Sequence, residues 1–167
     1  YHMAKRSHVL IPIIIAAFIV GIVGVLSIPT DAKLGSVEFP IGAIKLDDKI
    51  LQVQIAETKE QRTRGLSWNF EELPYDQGML FVFDNPGTQG IWMMGMQFSI
   101  DIIWFDENLH VTAIEKNVPP CLDPVEILAC GENGVSGDNA KYVLEVTTGF
   151  VDKFNITENS KLEIISI

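Results

Sequence analysis

A run of 20 uncharged residues near its start divides the chain into two parts. This run, Val9–Ile28, is rich in Ile, Val and Ala. A helix of that length measures about 30 Å, which is the thickness of the hydrocarbon core of a bilayer. Lys5 and Arg6 precede the run, and the first charge after it is Asp31. Because basic flanks stay in the cytoplasm, the sequence predicts a single-pass cell-membrane protein whose C-terminal part lies outside the cytoplasm.

The alternative to an anchor is a cleaved signal peptide. Val25 and Ser27, or Thr30 and Ala32, have the small side chains that a cleavage site needs. The uncharged run is longer than a signal-peptide core of about 7–15 residues, so we favour a retained anchor. The predicted organisation is a cytoplasmic N-terminus over 1–8, a transmembrane helix over 9–28, a tether over 29–36 and an extracytoplasmic domain over 37–167.

Charge is distributed unevenly between the two parts. All 22 Asp and Glu residues follow Ile28, against 10 Lys and Arg residues, which gives that part a net charge of −12. An acidic domain repels nucleic acid, so we expect no nucleic-acid partner. The expected partners are the membrane, through the N-terminal helix, and other subunits of a membrane complex. Gly21 and Gly24 would let a second helix pack closely there.

Two cysteines in the C-terminal part predict one disulfide. Cys121 and Cys130 are the only cysteines of the chain, and an even count outside the cytoplasm favours pairing. The alternative is a metal site. His110 is the only histidine after the uncharged run, so a zinc site with two Cys and two His ligands cannot form.

Short alternating segments separated by turn residues predict a mainly β domain. Thr58 and Gln61 form a capping-box pattern at the start of a helix over 59–66, and Asp84–Gly87 is a strong turn signal. The fold class we expect is α+β, an antiparallel barrel-like or sandwich sheet with one or two short helices. The predicted strands cover 37–46, 49–57, 78–83, 91–96, 99–105, 109–116, 141–147 and 162–167, with a helical turn over 150–154.

Three motifs carry a resemblance to a known family. They are IAETKEQRTRGLS at 55–67, the runs GMLFVF and IDIIWFD within 78–106, and YVLEVTTG at 142–149. Together they resemble DUF192, a prokaryotic domain family without an assigned activity. The resemblance therefore implies the kind of domain and no reaction.

The polar residues inside these motifs are the candidate site. The resemblance places recurring positions of the family pattern at Glu57, Arg62, Gly65, Asp101, Tyr142, Glu145 and Gly149. One interpretation is a ligand pocket in which Arg62 binds an anion. The other, which we favour, is a structural pair of Arg62 with a carboxylate, because a buried Arg must be paired. The candidate residues are Glu57, Arg62, Arg64, Asp101, Tyr142 and Glu145.

A methionine-rich segment departs from the family pattern. Where the family usually has W-M-K-N-T, this chain has Trp92-Met93-Met94-Gly95-Met96. If the Lys-Asn-Thr group served a ligand, this protein has changed or lost that ligand. The thioethers of Met93, Met94 and Met96 suit Cu(I), although core packing is the commoner use of methionine.

No set of nucleophile, base and acid is visible, and nothing calls for a cofactor. We therefore expect a non-catalytic ligand- or protein-binding module or an accessory subunit of a membrane complex. The alternative is a hydrolase that uses a carboxylate pair such as Asp101 and Glu145. Asn155, in the sequence Asn-Ile-Thr, is a glycosylation acceptor if the host has the machinery.

Overall fold

The computed structural model describes residues 37–121 and 134–167. Residues 37–167 belong to one compact unit, and its described part contains seven strands and two short helices. The helices are α1 (Lys59–Arg64) and α2 (Phe150–Lys153). The strands are β1 (Ile41–Leu46), β2 (Lys49–Ala56), β3 (Gln77–Ile91), β4 (Ile100–Phe105), β5 (Val111–Val118), β6 (Val135–Thr147) and β7 (Leu162–Ser166).

All seven strands belong to one sheet, in the order β5-β4-β6-β3-β2-β1-β7. Every neighbouring pair is antiparallel except β2 and β3, which run parallel. Parallel strands cannot be joined by a tight turn, so the chain crosses from β2 to β3 through α1. This crossover places α1 beside the middle of the sheet.

The sheet curls until its two outer strands approach each other at one end. His110, just before β5, forms an antiparallel bridge with Lys161, just before β7. The N–H of Leu162 donates to the carbonyl of Leu109 at 3.3 Å. The prediction of a mainly β domain with a barrel-like sheet is therefore confirmed, in the form of a curled half-barrel.

The predicted capping box at the start of α1 is present. The N–H of Gln61 donates to Oγ1 of Thr58 at 3.2 Å, and Oε1 of Gln61 accepts from the N–H of Thr58 at 3.0 Å. Gln61 also donates from Nε2 to the carbonyl of Glu38 at 2.9 Å, which ties the helix to the chain before β1. The last helical residue is Arg64, two residues before the end of the predicted range 59–66, and the helix is capped by Gly65 with φ of 46°.

Two apolar clusters pack on opposite faces of the central strands β4 and β6. Side chains of a strand alternate between faces, and successive residues of both strands fall in different clusters. The first cluster contains, from these strands, Ile103, Phe105, Leu144 and Val146. The second contains Ile100, Ile102, Trp104 and Val143.

Three predicted elements differ clearly from the structure. β6 begins at Val135, six residues before the predicted start at 141. β3 does not end at Asp84–Gly87 but continues to Ile91, and its pairing with β6 shifts register on both sides of Gly87. The tertiary pairing with β6 therefore overrides the local turn signal, and Pro86 falls in the irregular part, where a missing N–H is tolerated. Residues 92–96 form no strand, and only Met94 makes an isolated bridge there, with Cys121.

Some predictions concern residues outside the described ranges. The uncharged run Val9–Ile28 and Cys130 both lie there. Within residues 37–121 and 134–167, no helix has the length and apolar character needed to cross a membrane.

Candidate binding site beside helix α1

Arg62 is held by main-chain carbonyls rather than by a carboxylate. Its Nη1 donates to the carbonyl of Glu57 and, at 2.9 Å, to the carbonyl of Val82, and its guanidinium lies 5.1 Å from the ring centre of Phe83. Arg62 is in none of the ion pairs of the described residues. The predicted pair with a carboxylate is therefore wrong for the described part of the chain. Arg62 instead ties the α1 crossover to β3.

A cavity of about 490 Å³ opens between α1, β3 and the start of β6. Gly65 makes the close approach of α1 and β3 possible, because a Cβ at this position would lie 3.3 Å from Cζ of Phe81. Arg62 and Lys59 line the cavity from α1. Its apolar walls come from both core and surface residues, namely Leu66, Phe81, Phe83, Ile91, Trp92 and Met96.

Glu145 is the one acidic side chain that lines this cavity among the described residues. It is only 3% exposed, and its Oε2 is buried without a hydrogen-bond partner among the described residues. Burial raises the pKa of Glu145 to about 8, because the charged form loses its hydration. The carboxyl is therefore mostly protonated at neutral pH and can donate one hydrogen bond.

Asp101 has a different environment from that of Glu145. Its Oδ1 accepts from the N–H of Asn117 and its Oδ2 from the N–H of Val151, both at 2.9 Å. Asp101 is 1% exposed, and both of its oxygens are used to fix the end of β5 and the start of α2. Asp101 is thus a structural carboxylate.

The other predicted site residues do not line the Glu145 cavity. Tyr142 packs against the first apolar cluster, on the face of the sheet opposite to Glu145. The side chain of Glu57 is exposed, and this residue contributes its main chain: its carbonyl accepts from Arg62 and its N–H donates to Oε1 of Gln61. Arg64 lines a second groove beside the cavity. The structure therefore brings only Arg62 and Glu145 of the predicted set into one cavity.

The three methionines do not share one environment. Met93 and Met96 are 6% and 3% exposed and belong to the second apolar cluster, whereas Met94 lines the second groove. Residues 92–96 form no strand, so the alternation of a strand does not determine where the three side chains lie. Met93 and Met96 serve in core packing.

Aromatic residues around the cavity were not among the predicted site residues. Phe81 and Phe83 line the cavity, Trp92 lines both cavity and groove, and Trp68 lines the groove. Trp68 and Trp92 are 61% and 43% exposed. In the sequence, the signal for this surface was a tryptophan close to a glycine, at Trp68 and at Trp92. Only the fold shows that the two tryptophans line the same groove.

The methionine-rich segment that departs from the family pattern contributes to both the cavity and the groove. Of the three positions that replace Lys-Asn-Thr, Met94 lines the groove, Met96 lines the cavity, and Gly95 lies against the indole of Trp68. Met-Gly-Met in place of Lys-Asn-Thr makes this surface more apolar than the family pattern predicts.

Asn155, the predicted glycosylation acceptor, lies in an exposed turn after α2. Its φ is 53°, and its N–H donates to the carbonyl of Asp152 at 3.4 Å. Asparagine adopts this conformation more readily than most residues. The turn is thus accessible, and the residue also has a structural reason to be asparagine.

Comparisons with known proteins agree with the fold. The family model DUF192, described as "Uncharacterized ACR", matches residues 42–164. No curated protein matches the chain. A crystal structure of a proposed transcription regulator from Sinorhizobium meliloti 1021 is similar with a TM-score of 0.67 and 23% identity, covering 78% of this chain and 98% of that one. A protein of unknown function from Novosphingobium aromaticivorans DSM 12444 has a TM-score of 0.67 and 20% identity, covering 77% and 89%. At these identities the similarity establishes the fold alone.

Proposed function

The chain belongs to the DUF192 family, and from this premise we propose that its domain is a non-catalytic module that binds a small organic ligand in the Glu145 cavity. One observation carries the proposal: Oε2 of Glu145 is buried without a protein partner at an aromatic-lined cavity. Leaving a buried polar atom unpaired costs about 1–3 kcal/mol. Buried polar groups of native proteins are almost always satisfied, so a ligand that satisfies this one would bind favourably.

The lining indicates the chemistry of such a ligand. Phe81, Phe83 and Trp92 offer apolar surface to a ring or chain. The protonated carboxyl of Glu145 donates to a carbonyl, ether or hydroxyl oxygen at the buried end. Lys59 and Arg62 place positive charge at the α1 side, which favours a ligand that is neutral or negatively charged there.

Gly90 supports a direct test, because a side chain added there would fill the cavity. Gly90 lines the cavity, and a Cβ built on it meets nothing within 4 Å. Gly90→Leu should therefore fold normally and exclude the ligand. The full chain would be purified from its native membranes under mild conditions, and small molecules released on denaturation would be profiled by mass spectrometry. We expect an organic compound with the parent that is depleted at least about tenfold with Gly90→Leu, equivalent to ~1.4 kcal/mol.

Gly87→Leu is the matched control. Gly87 lies on the same strand, does not line the cavity, and its Cβ would make only an ordinary contact at 3.4 Å with Nε2 of Gln89. This variant should retain the compound at the level of the parent. Identical profiles for the parent and both variants would contradict the proposal and leave water as the partner of Glu145.

A second candidate function is a hydrolase. The raised pKa of Glu145, about 8, suits a general acid or base near neutral pH. The proposed pair with Asp101 is not available, since both oxygens of Asp101 accept main-chain N–H groups. Conversion of the released compound by the parent, abolished by Glu145→Gln, would favour the hydrolase over the binding module.

The membrane anchor and the external location remain part of the proposal, on the argument of length and flanking charge. Protease added to intact cells should remove the domain and leave the N-terminal segment in the membrane fraction. A soluble mature protein that begins near residue 28 or 33 would indicate a cleaved signal peptide instead. If the anchor also joins a complex through Gly21 and Gly24, other subunits should co-purify with the intact chain and be lost with bulky replacements there.

The disulfide between Cys121 and Cys130 also remains a proposal. The main chain of Cys121 lies beside the methionine-rich segment, where its N–H donates to the carbonyl of Met93 at 3.1 Å. Non-reducing peptide mapping should find the two cysteine peptides joined. Recovery of both thiols free from carefully prepared protein would contradict it.

We propose no nucleic-acid role, although one protein of similar fold is described as a proposed transcription regulator. The part of the chain after Ile28 carries a net charge of −12. Phosphate backbones bind through Lys and Arg, and this domain has the opposite balance. Binding to DNA at physiological salt would contradict the expectation.

A further inference from the structure

A second concave surface adjoins the Glu145 cavity. This groove, of about 510 Å³, lies between α1 and the segment 92–94. Its walls include Arg64, Trp68, Trp92 and Met94, and it shares Trp92, among other residues, with the cavity. The proposed function does not use the groove, and Glu145 does not line it.

Trp68 is exposed, and its indole lies against Gly95. Its φ is 66°, which is unusual for a bulky residue. The main-chain N–H of Trp68 donates to the carbonyl of Gly95 at 2.8 Å. A Cβ added to Gly95 would lie 3.0 Å from Cε2 of Trp68, so the indole lies close against Gly95. Strained backbone of this kind persists where the surroundings enforce it and clusters at binding sites. A large, exposed indole that packs on one side against Gly95 is therefore available for stacking on the other.

Arg64 supplies a hydrogen-bonding group to the same groove. Its Nη1 is buried and has no hydrogen-bond partner in the described part of the chain. In this respect it differs from Arg62, whose Nη1 is used by two carbonyls. A planar guanidinium matches the two oxygens of a carboxylate. Lys59 adds a second positive charge to the groove, against the single negative charge of Glu60.

We propose that this groove is a binding site for a planar aromatic carboxylate. The ring stacks on Trp68 and Trp92, and the carboxylate accepts hydrogen bonds from Arg64. The site differs from the Glu145 cavity in that Arg64 and Trp68 line only the groove, although the two surfaces share Trp92 and Lys59.

The three tryptophans of the chain provide the readout. Trp104 is fully buried, and its Nε1 donates to the carbonyl of Gln89 at 2.8 Å, so it serves as an internal control. The full chain, labelled with ¹⁵N, would be titrated with sodium 2-naphthoate while the indole N–H signals are followed. We expect the signals of Trp68 and Trp92 to move together and that of Trp104 to stay. The neutral analogue 2-naphthalenemethanol should bind at least about tenfold more weakly, because it cannot pair with Arg64.

Variants separate the stacking from the charge. Trp68→Gly should keep the fold, since glycine adopts positive φ without strain, and should weaken naphthoate binding at least about tenfold. Arg64→Gln should weaken it to a similar extent, whereas Arg64→Lys should retain an intermediate affinity because it keeps the charge without the planar fork. Lys161→Gln removes one positive charge from an exposed position that does not line the groove, and it should bind like the parent.

Several results would overturn the proposal. They are equal affinity for naphthoate and naphthalenemethanol, unchanged binding by Arg64→Gln, and the absence of shifts at Trp68 and Trp92. Gly90→Leu, which fills the Glu145 cavity, should leave naphthoate binding intact. A loss of naphthoate binding in that variant would mean that there is one site and not two.

Discussion

Asp101 and Glu145 lie on adjacent strands but on opposite faces of the sheet. In the register of β4 and β6, Asp101 is opposite Val146 and Glu145 is opposite Ile102. Since side chains alternate along a strand, this offset of one residue directs the two carboxyls into different clusters. They therefore cannot share a proton, and each has a separate physical role.

The raised pKa of Glu145 predicts a dependence of stability on pH. Between its ordinary value of 4.5 and about 8, the folded state holds a proton that the unfolded state has lost. Stability should therefore fall as the pH rises through this window and level off above it. In urea unfolding, Glu145→Gln, which cannot ionise, should gain roughly 3–5 kcal/mol relative to the parent between pH 4.5 and 8.

The comparison with Glu145→Gln controls for the other titrating groups of the domain. Parallel stability curves for parent and variant would mean that Glu145 titrates normally and is solvated.

Asp101→Ala should be strongly destabilising. It would leave the buried N–H of Val151 and the partly buried N–H of Asn117 without an acceptor, and the buried group alone costs about 1–3 kcal/mol. Asp101→Asn retains one acceptor oxygen and should lose about half as much in thermal or urea unfolding. Equal stability of Asp101→Ala and the parent would show that these two N–H groups find other partners.

Arg62→Ala should cost about 1–3 kcal/mol, because it removes donors to the carbonyls of Glu57 and Val82. This is less than the cost of breaking a buried ion pair, about 3–5 kcal/mol. Arg62→Lys keeps the charge but lacks the planar donor group, so it should recover only part of the loss in urea unfolding. Full recovery by lysine would indicate that charge, rather than the two carbonyl contacts, is what matters.

Two glycines should respond in opposite ways to the same substitution. A Cβ on Gly137 would overlap Cγ of Trp104 and lie 2.7 Å from its Cδ1. Trp104 is fully buried and cannot move away, so Gly137→Ala should lower stability by about 1–3 kcal/mol or more.

Gly90→Ala is the matched control for that prediction. Its Cβ meets nothing within 4 Å, and alanine in a strand costs less backbone entropy than glycine. Its melting temperature should equal or exceed that of the parent. A larger loss for Gly90→Ala than for Gly137→Ala would be inconsistent with the packing described.

The local features of the domain were accessible from the sequence because their causes are local. The alternation in β2 and the Thr58–Gln61 capping box depend on residues within a few positions of each other. The extension of β3 through Pro86 was not accessible, because it depends on pairing with β6, about 50 residues away. The parallel pairing of β2 and β3 likewise becomes visible only when α1 is placed.

The sequence by itself determined the family, the acidic balance, the mainly β class, and the polar residues from which a site could be built. Only the tertiary structure decided how those residues are grouped. Strand register, set by the packing of the whole sheet, separates Asp101 from Glu145. The crossover through α1 brings Arg62 to the cavity of Glu145, which burial keeps protonated near neutral pH, and it places Arg64 and Trp68 at the adjoining groove. Register and burial arise from contacts between distant segments, and no local pattern of residues encodes them.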